Sequence, residues 1–275
     1  MIIRKFTLTN AIGQTYNLND LNSFFYNMKG LGQEHKVTYV QLGTQFLKEK
    51  DLLAQKNIQG KLHFSNYKEY AVFSAFIQHK PLVLTYVSSD SYNIQVSIDK
   101  LDKTELETGG LNCNVTIKGL GTYYRILTKE NSHEETDAGK KYPVTYPYKY
   151  RDTASGTVLI DSDSILASPV KINIFGPCVN PSYTQYVNNV QISGGKINAT
   201  IPTGNKLVID TTQIPYSIKE YSVNNLFVQD LYYKSDFSTN RFISLEYGKN
   251  KITFVHESSE TLSVSVEARI EYESV

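Results

Sequence analysis

The side chains able to do chemistry are sparse in this sequence and do not gather. The densest titratable group is His133-Glu134-Glu135 with Asp137. Metal and acid–base centres use such residues, but a zinc-binding helix repeats histidine at i and i+4, and no such pair occurs here. The group lies in an aperiodic polar run from Lys129 to Lys141, which reads as a solvated linker. Asp161 and Asp163 stand two apart before an expected strand. Carboxylates that cleave glycosidic bonds come from facing elements, so these two read as turn residues. His256-Glu257 reads as a strand-end pair. The histidines, His35, His63, His79, His133 and His256, never reach ligand spacing. No G-x-S-x-G, Walker A, G-x-G-x-x-G or C-x-x-C motif is present. Cys113 and Cys178 are the only cysteines and read as buried thiols in a reducing cytosol, with a disulfide as the lesser reading. The expectation is no catalytic residue, no cofactor-binding residue, no metal ligand and no cofactor, hence not an enzyme. A triad assembled from distant positions would leave no such signature.

The elements that would position any site are strands. The 275 residues suit one large or two ordinary domains at roughly 150 residues each. Alternation of apolar and polar residues marks Ile3–Thr9, Thr15–Leu18, Lys36–Leu42, Asn57–Phe64, Leu82–Val87, Tyr92–Ile98 and Leu111–Ile117. One segment breaks this rhythm. Asn66 with Glu69 has the spacing of a capping box, and Tyr70, Phe73 and Ile77 follow at helical spacing. The spacing predicts a helix over 67–78, stopped by Pro81, with Phe73 and Ile77 toward the sheet and Lys68 and Gln78 outward. The first domain, 1–127, is therefore a β-sandwich with one helix.

The polar run, followed by prolines among tyrosines, predicts a linker over 128–150. Beyond it, in 151–275, strands return at Pro169–Phe175, Val190–Ile192, Lys196–Ile201, Lys206–Asp210, Lys251–Val255 and Leu262–Ile270. Ser193-Gly194-Gly195 reads as a tight hairpin turn. Short, regularly spaced strands mean a sandwich or jelly roll, so the fold class is mainly β.

Lys and Arg total 28 against 27 Asp and Glu, a net charge of +1, which argues against a surface built on phosphate charge. The start, Met1-Ile2-Ile3-Arg4-Lys5, shows no secretory signal, and no apolar run reaches the ~18 residues that span a bilayer. Tyrosine is abundant, 21 against 12 Phe and no Trp, which suits half-buried interface surfaces.

The organisation resembles the distal tail protein family of long non-contractile-tailed phages. The residues that carry the likeness are Phe6-Thr7-Leu8-Thr9-Asn10 with Gly13, Gly30-Leu31-Gly32, and Ile58 to Phe64 leading into Tyr70 and Phe73. Leu82 to Tyr86, Leu101 to Glu105 and Gly109-Gly110-Leu111 continue it. In the second part Ile174 to Pro181 and the strand through Asp210 look like that family's galectin-like sandwich. The segment Leu226–Arg241 and the charged linker match nothing in the family pattern. The resemblance implies a structural virion protein assembled in the host cytoplasm. Its first domain would form a homohexameric ring around a channel for DNA, joining the tail tube protein to the tail-tip protein and baseplate. The second would anchor host-adsorption, receptor-binding proteins; no membrane is involved. The competing expectation is a carbohydrate-binding module for cell-surface attachment, with Tyr183, Tyr186 or Tyr233 as the stacking ring.

Overall fold

A computed structural model describes residues 4–106, 109–131, 155–258 and 260–275. The chain is mainly β, as expected, and divides into two compact units, Met1–Arg125 with Glu271–Val275, and Ile126–Ile270.

In the first unit the chain order begins β1 (Lys5–Thr9), β2 (Thr15–Asn17), β3 (Ser23–Lys29), β4 (His35–Leu42), β5 (Gln45–Leu53) and β6 (Asn57–Phe64). The helix α1 (Tyr67–Phe76) follows, then β7 (Leu82–Val87), β8 (Ser91–Leu101), β9 (Leu111–Gly119) and the start of β10 (Tyr123–Glu130). The strands pair antiparallel in the order β2-β1-β7-β8-β9-β6-β3. The long β8 makes this path possible. Its Ser91–Val96 half pairs β7, its Val96–Leu101 half pairs β9, and a bulge falls between Ile98 and Lys100.

The two ends of the path are stitched together by one residue. The Leu18 amide donates to the Phe6 carbonyl and the Leu18 carbonyl accepts from the Phe25 amide, both at 2.9 Å. Closure of this kind removes exposed edges. Alternating side chains fill the interior: Ile58, Leu62 and Phe64 of β6, and Leu82, Leu84 and Tyr86 of β7, are buried.

The helix forms where its capping residues predict. The Asn66 side chain accepts from the Glu69 amide at 3.0 Å, satisfying a donor that the first turn would leave unpaired. It ends at Phe76, two residues short of the expected Gln78. There Ile77 is the C-cap and the Gln78 amide turns back to the Ala75 carbonyl. Phe73 is fully buried against Tyr16, Phe64 and Phe76, with ring centroids 5.0, 5.4 and 6.5 Å away. Ile77 packs half-buried on the same core, and Lys68 and Gln78 are exposed.

The second unit contains β11 (Ser155–Ser162), β12 (Ser168–Phe175), β13 (Cys178–Val179), β14 (Ser182–Val187), β15 (Val190–Lys196) and β16 (Thr200–Ile201). It continues with β17 (Asn205–Asp210), β18 (Ser217–Ser222), β19 (Phe227–Asp230), a 3-10 turn Tyr232–Lys234, β20 (Ser244–Leu245), β21 (Gly248–Val255) and β22 (Ser263–Tyr272). One sheet runs β19-β18-β17-β12-β22 and the other β11-β21-β14-β15. Val170, Ile172 and Ile174 of β12, with Val264, Val266 and Ala268 of β22, turn inward from the first. Val158, Ile160, Ile252 and Phe254 do so from the second, which is the make-up of a sandwich.

Three sequence expectations are corrected here. Gly194 and Gly195 are not a turn but lie inside β15, where a Cβ would come within 2.9 Å of the Tyr183 carbonyl and 2.7 Å of its hydroxyl. The turn before β15 is Asn188-Asn189, with φ of 49° and 68°, the left-handed pair that a two-residue hairpin needs. Asp161 is a strand residue of β11, facing Lys249, because the strand's inward residues and not its outward carboxylates set its period. The interval assigned to a linker begins as strand, since β10 runs to Glu130; its outward Thr128, Lys129 and Glu130 are all exposed and hide the alternation. Residues 132–150 of that interval, with His133, Glu134, Glu135 and Asp137, lie outside the described residues.

Replacing Phe73 with Ala should cost about 3–5 kcal/mol by leaving a cavity under the helix. That is a large part of the roughly 5–15 kcal/mol that holds a domain together. Thermal melting of the full chain should show the first-unit transition falling strongly for Phe73→Ala and less for Phe73→Leu; an unchanged transition would contradict this placement.

Candidate functional site

Among the described residues no group of three or more His, Cys, Asp and Glu is placed to hold a metal ion. The sequence candidates are dispersed. Asp161 and Asp163 are exposed on one face of the strand end. His256 is buried just past β21, its Nε2 2.9 Å from the Glu260 carbonyl, while Glu257 accepts from Lys196 at 2.6 Å. That is the strand-end pair expected. Cys113 and Cys178 are free and buried, and burial pushes the Cys178 thiol up to about 11, so it is protonated and unreactive at neutral pH. Tyr183 is buried, with its hydroxyl donating to the Arg241 carbonyl, so it has no face for a sugar; Tyr233 is exposed.

The feature that stands out is a surface. Strands β4 and β5 form a two-stranded hairpin of their own, with register from His35↔Leu53 to Leu42↔Gln45 and a bulge between Thr38 and Tyr39. Neither strand pairs with any other among the described residues. No residue of the hairpin is buried. Yet it carries Tyr39, Val40, Leu42, Phe46, Leu47 and Leu52, all large, apolar and exposed, with Phe46 67% accessible. An isolated hairpin is marginal in water, and an unpaired apolar edge invites another chain. The sequence reading found β4 but missed β5. A strand open to solvent on both faces has no alternation to detect, and Lys48-Glu49-Lys50-Asp51 resembles a loop.

The hairpin is fixed at its base. Gly30 precedes it at φ 86°, and a Cβ there would meet the Asn57 carbonyl at 2.0 Å, so the entry admits only glycine. The Ala54 amide donates to the Glu34 carbonyl at 2.9 Å, closing the neck. Lys56, buried directly after, donates to the Gly32 carbonyl at 2.8 Å, and burial holds its ammonium below the usual lysine range. His35 joins three pieces of chain. Its Nδ1 lies 2.6 Å from Asp51 of β5, and its Nε2 lies 3.4 Å from Glu273 at the far end of the sequence. Asp51 also accepts from Lys48 at 2.7 Å. The hydrogen bond to Asp51 is the main reason the His35 imidazole titrates above its ordinary 6.5. Hydrogen bonds from Lys48 and then His35 hold the Asp51 carboxyl below its ordinary value.

Comparison with known proteins follows the same division. Residues 5–120 match the family model described as distal tail protein, N-terminal domain. No curated protein matches the chain. Among solved structures, a chain of the phage P2 baseplate in its activated conformation with calcium is similar over 100% of both chains, at 15% identity and a TM-score of 0.66. The same baseplate with strontium gives 0.65 at 15% identity, over 99% of this chain and 100% of that one. The SPP1 Dit protein, described as a paradigm of the hub adsorption apparatus in phages infecting Gram-positive hosts, gives 0.64 at 11% identity over 96% and 98%. At such identities the likeness establishes a shared fold.

The His35 contacts give the hairpin base a pH dependence of known sign. A raised histidine pKa contributes stability that is complete below its unfolded value of 6.5 and is lost as pH rises through the folded value. The lowered Asp51 pKa works oppositely, its contribution disappearing as pH falls through the folded value. Amide exchange at Ala54 should therefore be slowest between the two, and should quicken as pH climbs through the raised His35 pKa, beyond the intrinsic rise. In His35→Gln the alkaline component should vanish; if the wild-type profile persists, His35 does not hold the base.

Proposed function

We propose that this chain, whose residues 5–120 match the N-terminal domain of distal tail proteins, is a distal tail protein of a phage and acts as a ring-forming hub of the tail. On this reading it is a structural component of the virion at the tail and baseplate, which the match over residues 5–120 and the shared fold support. The finer reading is that six copies close into a ring through their first units, and that the ring joins the tail tube protein to the tail-tip protein. DNA would pass through its centre. The second unit would face outward and hold the adsorption proteins. No step of covalent chemistry is involved.

The observation that carries this reading is the β4–β5 hairpin. Its outer strand edges have no partner among the described residues, and its apolar side chains stand in solvent. A second copy of the same chain supplies both missing things: an apolar surface to cover Phe46 and Leu47, and backbone groups for the edge. Contacts of one patch with a different patch on the next copy are heterologous, and such contacts close into rings when the rotation fits. The two ends of the first unit's strand path are joined through Leu18, and the hairpin stands outside that path, so it can take a partner without unfolding anything. A chain with net charge +1 also has little self-repulsion to overcome in a ring.

Light scattering on the purified chain at high concentration should give the mass of six copies of 31.2 kDa. Phe46→Asp and Leu47→Asp, at exposed positions, should shift the mass to one copy while leaving both melting transitions in place. A wild-type chain that stays single at every concentration, with no rings in electron micrographs, would overturn the hub reading.

A further inference from the structure

The segment Leu226–Arg241, which follows no pattern of the family likeness, folds into the most aromatic surface of the second unit. It supplies β19, the turn Tyr232–Lys234 and a loop back to Arg241. The Arg241 guanidinium lies over three rings, 4.3 Å from the centroid of Phe237, 4.9 Å from Tyr232 and 5.2 Å from Phe242. It also donates from Nη2 to the Tyr232 hydroxyl at 2.7 Å. Phe242 in turn packs on Tyr216 at 5.1 Å and stacks with Tyr232 at 6.2 Å. The Tyr232 amide donates to Asp230 at 2.8 Å, fixing the turn. Cation–π contacts and ring packing of this density hold Tyr216 and Tyr232 in place before anything binds.

Beside this cluster lies an open groove of about 460 Å³, lined by Gln213, Tyr216, Lys219, Asp230, Tyr232 and Tyr233 with Ile214 and Ser217 at its margin. The volume falls within the range of small-ligand sites, roughly 300–1,000 Å³. Its lining alternates rings with hydrogen-bonding side chains. Tyr233 is 66% exposed and Tyr216 46%. Lys219 and Asp230 face each other across β18 and β19, so the formal charge of the groove cancels.

We propose that the groove between Tyr216, Tyr232 and Tyr233 binds a neutral saccharide. A pyranose has an apolar face of C–H bonds and a rim of hydroxyls. The first needs a fixed aromatic ring, and the second needs donors and acceptors a few ångströms away; the groove supplies both. A polypeptide partner would be better served by a continuous apolar patch, and a phosphate or uronate by net positive charge. Preorganised rings lower the ordering cost of binding. With few buried polar groups to fix orientation, the expected dissociation constant for a disaccharide is roughly 1 mM. The site is independent of ring formation, since every residue named lies in the second unit.

The test is saturation-transfer NMR on the full chain with maltose, lactose and N,N′-diacetylchitobiose, each at about ten times that concentration. At least one should receive saturation at its ring C–H protons. The signal should fall roughly tenfold in Tyr233→Ala, the effect of losing one stacking partner, and rise in Tyr233→Trp. Tyr233 is mostly exposed, so neither change threatens the fold. Tyr247→Ala, at an equally exposed tyrosine outside the groove, should leave the signal unchanged. Transfer to none of the three sugars, as when the groove serves a protein instead, overturns the proposal. So does a signal that survives Tyr233→Ala.

Discussion

Every strand carries backbone donors and acceptors along both of its sides, and a mainly β chain must find partners for all of them. The first unit meets that constraint by closing its path of strands through Leu18. One buried residue gives its amide to Phe6 and its carbonyl to Phe25. Once that closure is made, the interior can be filled by Phe6, Phe64, Phe73 and their neighbours, and α1 can lie over the end. The hairpin of β4 and β5 stays outside that path, and the neck of glycine, lysine and histidine contacts fixes its base. The exposed hairpin is thus what the closure leaves over.

The second unit handles its exposed rings differently. Arg241 gathers Tyr232, Phe237 and Phe242 around one guanidinium, which keeps them from collapsing inward and from rotating freely. A Lys at this position would supply the charge but not the flat surface or the second donor that reaches the Tyr232 hydroxyl. Two surfaces of opposite character result. The hairpin is extended and apolar; the groove is concave, mixed in polarity and rigid.

Much of the first unit was legible from residue order. Strand β6 has the limits that alternation predicts, Asn57 to Phe64, because one face is buried throughout. The helix was visible because Asn66 caps it and Phe73 anchors it. The hairpin was half visible. Val37, Tyr39 and the residues between them have strand propensity, whereas β5 has no buried face to impose a period. The same reason hid the end of β10. In β15 the glycines misled, since glycine serves close backbone approach as readily as it serves turns, and only the position of Tyr183 distinguishes the two. The groove was least legible of all. Tyr233 was singled out, but Tyr216 and Tyr232 come from separate segments, and Arg241, which holds the site, carries no local signature.

The first unit takes its last contribution from residues 271–275, after the whole of 126–270. Tyr272 packs edge-on against Tyr92 and beneath Arg125, and Glu273 reaches His35 at the hairpin base. A ribosome reads in one direction, so these side chains arrive only after every strand of the second unit has been synthesised. Until then the nascent first unit lacks the segment that braces its sticky hairpin. The base of the hairpin is therefore completed by a residue that is made only after 126–270.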